Sequence, residues 1–496
     1  MPVHKDMTEQ ALKEARKYEE EKDREISAEE RPLFHLSSRC GWMNDPNGFS
    51  LYEGMYHLFY QYYPYAPQWG PMHWGHAVSR DLVTWQYLPA ALAPDTSADC
   101  GGCFSGSAAV LDDGRHILMY TGVAEDPEEP GTSVQTQCLA FGDGLDYEKF
   151  SGNPVLTSDD LPEGLSRHDF RDPKVNREED GTYTCVVGGC TEEMDGRILY
   201  FRSEDGLDWH FVSVLAANNQ RFGTMWECPD FFMLDGRAVL LCSPMDMRRT
   251  EKYSGGHGTL CLIGDFQDSR LVHEQDQPVD YGTDFYATQT LLHPDGRRIM
   301  TAWMQNWDTL QNHEELRWYG QMILPRELSV RNGKLYQQPV RELMQYRKKR
   351  AEYCSVPISD RLEPADIRGR ALDLSLTIRP GAADYRRFEI QAAADEEHHT
   401  TILYDRIQQE ITVDRSRSGT RTAVEHIRTF RTKEYDDSLK LRLILDRFSI
   451  ELFVNDGEQT FTMVIDTDFS ADRIRFLAEG EAVLDMEAYT LDLQEQ

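Results

Sequence analysis

Five times the chain repeats one short pattern, an acidic residue and a glycine followed by a strand of alternating apolar residues: EGMYHLFYQ, DGRHILMYTG, DGTYTCVVGG, DGRAVLLCSP and DGRRIMTAWM. The glycines, Gly54, Gly114, Gly181, Gly236 and Gly296, follow one another at steps of 60, 67, 55 and 60 residues. An all-β repeat of this period, with no helix between the strands, predicts blades of about four strands set around an axis, and five turns predict five blades. Other acidic-Gly pairs occur, at Asp143-Gly144, Asp195-Gly196 and Asp205-Gly206, without the strand that follows the five. A second phrase also recurs, SRDLVTW ending at Trp85 and SEDGLDW ending at Trp209.

At 496 residues the chain exceeds one ordinary core, so a second domain is expected. No tryptophan follows Trp318, and beyond the basic, helix-prone stretch QQPVRELMQYRKKRAEY the texture turns to short alternating strands. Leu441, Leu443 and Leu445, then Ile450, Leu452 and Val454, then the turn Asp456-Gly457, read as hairpins of a β-sandwich. The expected fold is thus all-β, a five-bladed β-propeller and a C-terminal β-sandwich, with a short N-terminal helix. The divisions are 1–31 for the helical segment, 32–340 for the propeller, 341–352 for a linker and 353–496 for the sandwich. In the helix Thr8 reads as N-cap, with Ala11, Leu12, Ala15 and Tyr18 on one face that straps onto the propeller.

The 52 basic against 85 acidic residues, a net charge of −33, exclude attraction to nucleic acid or anionic membrane and favour a small substrate. The charged N-terminal segment carries no apolar signal core and no later run is long enough to span a membrane, so a cytoplasmic protein is expected. Its ten scattered cysteines read as reduced thiols. CGGC at Cys100 to Cys103 lacks the strand-then-helix setting of a redox motif.

Within GWMNDPNGF a carboxylate, Asp45, stands directly before a proline, eight residues ahead of Glu53 of the first turn. Asp172 of FRDPKV stands eight before Asp180, and Glu227 of WECPDF eight before Asp235; the other two repeats hold Ser105 and Ala287 there. Equal offsets in the blades of a propeller converge at one mouth. A proline after Asp45 and Asp172 places each at the first residue of a strand. A lone Asp-Pro is more often a surface turn, but three acids at one offset outweigh that reading. Carboxylates brought together split their pKa values, leaving one protonated and one ionised, which is the pair that glycoside hydrolysis needs. Trp42, Trp69, Phe104, Trp226 and Trp303 offer sugar rings apolar faces. A metal held by His73 and His76 fits less well, because HWGH reads as strand with the two rings on opposite faces.

WMNDPNG, FYQ, FSGS, FRDP and WECPD, in this order and ahead of a sandwich, resemble the β-fructosidases of glycoside hydrolase family 32, the invertases, sucrose-6-phosphate hydrolases, inulinases and levanases. The resemblance runs from about His35 to the hairpin FSIELFVNDGE. It implies that Asp45 is the nucleophile on C2 of a terminal β-fructofuranosyl unit, that Glu227 is the acid and base, and that Asp172 with Arg171 holds the fructosyl hydroxyls. Asn44, Gln61, Trp69, Phe104, Ser105 and Trp303 match positions lining the fructose pocket. No cofactor or metal is required. The chain departs from the pattern at Thr288, where proline is commoner. The implied activity is retaining hydrolysis of sucrose or sucrose 6-phosphate, with short fructo-oligosaccharide hydrolysis or transfructosylation as the alternative. A non-catalytic carbohydrate-binding propeller is disfavoured because all three acids are present. The sandwich offers a face for a homodimer, as in some relatives.

Overall fold

The computed structural model describes residues 3–309, 316–419 and 425–493. Five antiparallel sheets follow one another in sequence, and their first strands, Gly41–Tyr52, Gly102–Val110, Leu165–Arg177, Trp226–Leu234 and Tyr286–Leu292, touch in cyclic order around one axis. The chain is a five-bladed propeller, and each of the five acidic-Gly turns joins a first strand to a second. Gly54, Gly114, Gly181, Gly236 and Gly296 all take positive φ there, which only glycine adopts freely. The second strands do not alternate as the sequence pattern implies: His116–Glu125, Arg237–Pro244 and Arg298–Trp303 are buried along nearly their whole length. A blade is covered by neighbours on both faces, so both sides of its middle strands must be apolar or internally paired. The ring is tied shut by Trp318–Tyr319, which pairs in parallel with Gly41–Trp42.

The recurring SRDLVTW and SEDGLDW phrases are one turn used twice. Ser79 Oγ accepts from the amides of Asp81 and Leu82, and Asp81 Oδ1 from those of Val83 and Thr84. Ser203 and Asp205 repeat the same bonds to residues 205–208. The side chains thereby satisfy amides that no strand can reach.

The N-terminal helix, α1, spans Val3–Asp23, so Thr8 lies inside it rather than at its cap. Ala15 and Glu19 are buried. Arg16 Nε donates to the Ala90 carbonyl at 2.8 Å and the Ala90 amide donates to Glu19 Oε1 at 2.8 Å. The helix is a strap, and it closes the open edge of the last strand of blade 1, which would otherwise present unpaired amides to other chains. Burial raises Glu19 to about 7.

Beyond the propeller the helix-prone stretch is not an α-helix: Arg341–Tyr346 is a short 3-10 helix and Arg347–Ile358 is already a strand of the second domain, paired with Arg473–Leu491. Partner pairing overrides a weak local propensity. Leu372–Ala394 runs antiparallel to Arg473–Leu491 over most of its length, and Leu439–Asp446, Ser449–Val454 and Gln459–Val464 form the expected hairpins. Leu374, Phe388, Ile402, Leu443, Leu452 and Phe476 meet in one core, so the sheet folds over itself as a sandwich.

The two domains are joined by a buried ionic network. His35 sits between Asp446 at 2.7 Å and Glu451 at 2.9 Å, and Arg326 bridges Glu451 at 2.6 Å and Asp280 at 2.8 Å, every side chain fully buried. Burial opposes the imidazolium charge, but the bonds to Asp446 and Glu451 outweigh it and hold His35 up at about 9. A raised histidine stabilises the fold below its unfolded pKa of 6.5, and that contribution is lost as pH rises through 9. His57 and His116 act oppositely: burial depresses them to about 4 and about 3, so their neutral forms stabilise above 6.5 and that contribution is lost as pH falls. Urea unfolding from pH 6.5 to 9 is therefore expected to show a loss of about 3 kcal/mol that His35→Gln abolishes. An equal slope in that variant would assign the loss elsewhere.

Candidate active site

The register of each first strand slips at the same level near the axis: between Met43 and Pro46, Phe104 and Gly106, Arg171 and Lys174, Glu227 and Asp230, and Tyr286 and Gln289. Asp45 and Asp172 thus stand inside their strands, at bulges, and not at a first residue; Pro46, Pro173 and Pro229 are tolerated because a bulge needs no ladder donor. Bulges re-aim side chains, and here they turn them to the axis.

Two tiers result. Arg171, Glu227 and Tyr286 are the last paired residues before the slip in blades 3, 4 and 5. They form one chain: Arg171 Nε donates to Glu227 Oε1 at 3.1 Å, and Tyr286 Oη donates to Glu227 Oε2 at 2.6 Å. Arg171 is fixed in turn by Asp169 at 2.8 Å and by Gln135 at 3.3 Å. The first residues past the slip are Asp172, Cys228 and Ala287, at φ values of 67°, 48° and 54°. This strained backbone lets the Cys228 amide donate to Asp172 Oδ2 at 2.9 Å, and brings its thiol to 3.4 Å from Asp45 Oδ2. Glu227 therefore lies one place earlier than Asp172, although both stand eight residues before their acidic-Gly turn. The loop in blade 3 has five residues between Arg177 and Tyr183, that in blade 4 two between Leu234 and Arg237, so equal offsets from the turn are not equal heights.

Asp45 is held from two more sides. Ser105 Oγ donates to its Oδ2 at 2.7 Å, and Asn44 Nδ2, itself oriented by the Trp42 indole at 2.8 Å, donates to its Oδ1 at 3.2 Å. Burial first, and then the Glu227 charge, push the Asp45 carboxyl above the usual range. Asp172 rises for the same reasons, with Asp45 adding to Glu227, even against the neighbouring Arg171. Asp45 and Asp172 thus each take up a proton at higher pH than a separate carboxylate does. Ser105→Ala is expected to lower kcat/KM about tenfold and to move the acidic limb of its pH profile upward, because Asp45 loses a donor to its ionised form. An unchanged limb would deny Ser105 that role.

The remaining predicted residues divide. Gln61, opposite the slip of blade 1, donates to the Cys103 carbonyl at 3.0 Å. Trp69, 50 % exposed, meets Phe104 edge-on at 6.1 Å. Trp303 and Trp42 are fully buried, 5.9 Å apart, and pack in one cluster with Tyr286, Ala287, Phe104 and Cys228. Trp226 is a correction: its indole donates to the Phe222 carbonyl at 2.9 Å inside the hydrophobic core of blades 3 and 4. Tyr286 and Cys228 were not predicted in the site. A signal for Tyr286 lay in the sequence, since it directly precedes Ala287 of the fifth repeat as Arg171 precedes Asp172. His73 and His76 turn away from the acids, the first to the Pro71 carbonyl and the second to His57.

Residues 35–339 match the model of the glycosyl hydrolases family 32 N-terminal domain, and residues 342–490 that of the family 32 C-terminal domain. A sucrose-6-phosphate hydrolase of Zymomonas mobilis is 36 % identical over 485 residues, 93 % of this chain and 92 % of that protein. A raffinose invertase of Escherichia coli is 37 % identical over 464 residues, 91 % of this chain and 93 % of that protein. Among solved structures, a family 32 β-fructofuranosidase of Bombyx mori superposes with a TM-score of 0.84 at 34 % identity, covering 97 % of this chain and 98 % of that one. A variant of that enzyme was solved in complex with sucrose, with the same score, identity and coverage.

Proposed function

The chain belongs to glycoside hydrolase family 32, and from that premise we propose that it is a β-fructofuranosidase that hydrolyses sucrose or sucrose 6-phosphate with retention, through a fructosyl ester on Asp45. The observation that carries the reading is the pairing of two differently held carboxylates. Glu227 is gripped by a neutral phenol and a guanidinium, while Asp45 is met by a hydroxyl, an amide and a thiol.

In the reaction Glu227 gives its proton to the glycosidic oxygen as that bond breaks, and Asp45 attacks C2 to form the ester. Glu227, now ionised, takes a proton from the water that cleaves the ester and releases fructose. Asp172, fixed by the Cys228 amide and by its own amide's bond to Thr121 Oγ1 at 2.9 Å, holds fructosyl hydroxyls and offsets the positive charge of the oxocarbenium-like transition state. Burial of the whole tier strengthens each of these interactions.

For the phosphate, the loop that starts at Met245 is the favoured rim. Met245 Sδ lies 3.6 Å from Arg171, and the loop carries exposed Arg248, while Arg249 pairs with Glu425 at 3.2 Å. Arg317 is engaged elsewhere, by the Glu25 carbonyl and Glu30 of the N-terminal segment. The reading places the enzyme in the cytoplasm, acting on imported sugars; among the described residues no helix is long and apolar enough to cross a membrane. The test is kcat/KM on sucrose, sucrose 6-phosphate and a short inulin-type oligosaccharide. A preference of about tenfold for the phosphorylated sugar, near 1.4 kcal/mol, that Arg248→Ala removes, is the expected result. Release of fructose from none of the three would reject the function.

A further inference from the structure

The first strands have two ends. The carboxylates stand near the entry, the acidic-Gly turns at the exit, and at the exit the ring of blades opens into a funnel of about 970 Å³. Phe49, Val175, Phe231, Phe266 and Leu291 give its mixed walls their apolar surface. Its floor is charged: Lys174, 5 % exposed, and Arg298, 8 % exposed, both line it.

Among the described residues one carboxylate accompanies these two cations, and Lys174 Nζ also donates to the Thr290 carbonyl. Asp230, fully buried, lies 3.4 Å from Lys174 Nζ and accepts from the Thr290 amide at 2.6 Å, while its second oxygen has no partner. Arg298 is poorly satisfied. It makes one long hydrogen bond, 3.4 Å to Thr290 Oγ1, rests its guanidinium on the Phe232 ring at 4.6 Å, and leaves Nε unpartnered. Among the described residues no second carboxylate pairs with either cation. Burial pushes both Lys174 and Arg298 below their usual ranges, as expected for positive charge in excess of its counter-charge. Buried cations against apolar walls are costly unless something anionic meets them.

We infer that this funnel, on the face opposite the active site, is a second ligand site for a small organic anion, whose carboxylate or phosphate group sits on Arg298 and Lys174 and whose body lies against Phe231, Phe266 and Leu291. Glu178, Glu179 and Asp180 line the funnel as well, against Arg177 and Arg202, so the acids exceed the arginines by one, which disfavours a polyanion and leaves room for a ligand with a single charged head.

The test is titration calorimetry of the full-length protein with benzoate and with phenyl phosphate, with neutral benzyl alcohol as control. Saturating fructose keeps the catalytic pocket filled throughout. One saturable site per chain is expected for the anions, with binding at least roughly tenfold weaker for the alcohol. The tighter of the two anions identifies the head group. Arg298→Gln and Lys174→Met should each weaken the anion about tenfold or more, and Arg298→Gln should keep the turnover of sucrose, which shows that it is folded. No saturable binding to the wild-type protein, or binding that both variants leave unchanged, overturns the inference.

Discussion

Asp45→Ala is expected to lower kcat/KM on sucrose by roughly 10⁴-fold or more, about 5.5 kcal/mol of transition-state stabilisation, while the protein becomes no less stable. The two halves of this result have one cause. Asp45 is a half-buried carboxylate beside two others, and desolvation and the Glu227 charge already raise its pKa, so the fold gains nothing from ionising it there. Its contacts with Ser105, Asn44 and the Cys228 thiol hold the attacking oxygens in place at the expense of stability. A thermal midpoint equal to or above that of the wild type, with activity lost, is the signature of a nucleophile. A lost fold would make Asp45 structural, and near-normal turnover would remove it from the mechanism.

Glu227→Ala is expected to cost a comparable factor on sucrose, about 10³ to 10⁵-fold, but its loss depends on the leaving group. A sugar alkoxide leaves only if protonated. A nitrophenolate leaves without help, so fructosyl-ester formation from a nitrophenyl fructoside is expected to survive in the variant, with ester hydrolysis slow. Azide, which needs no general base, should restore the second step and yield a fructosyl azide. Asp45→Ala should show neither effect. Glu227→Gln keeps the length and the neighbours Arg171 and Tyr286, at 3.1 and 2.6 Å in the wild type, and should remain inactive on sucrose. Activity in that variant would mean that Glu227 only positions other groups.

The propeller was legible because its turns are made by chemistry that a reader can see: glycine at positive φ recurs where a first strand doubles back. The three acids were legible for a related reason, since repeats place like positions at one mouth. Their heights were not legible. Loops of five and two residues look alike from an acidic-Gly pair, so Glu227 was grouped with Asp172 when its true companions are Arg171 and Tyr286. Trp226 misled for the opposite reason: a residue next to one that faces the axis points to the other face of the strand, and here that face is the core between blades 3 and 4. The network of His35 with Asp446 and Glu451 joins residues more than 400 apart in sequence and leaves no local pattern. Nor does any spacing reveal that Glu19 and Arg16 clasp Ala90 across the edge of blade 1.

The claim on which the rest depends is that Asp45 becomes covalently bonded to fructose. Mass spectrometry of Glu227→Ala after a brief reaction with a nitrophenyl fructoside tests it most directly, because that variant should form the ester and fail to hydrolyse it. The expected result is one added fructosyl unit per chain, mapped by peptide digestion to the segment that holds Asp45. An adduct on Asp172 or elsewhere, or turnover with inversion at C2 and no adduct, would contradict the mechanism.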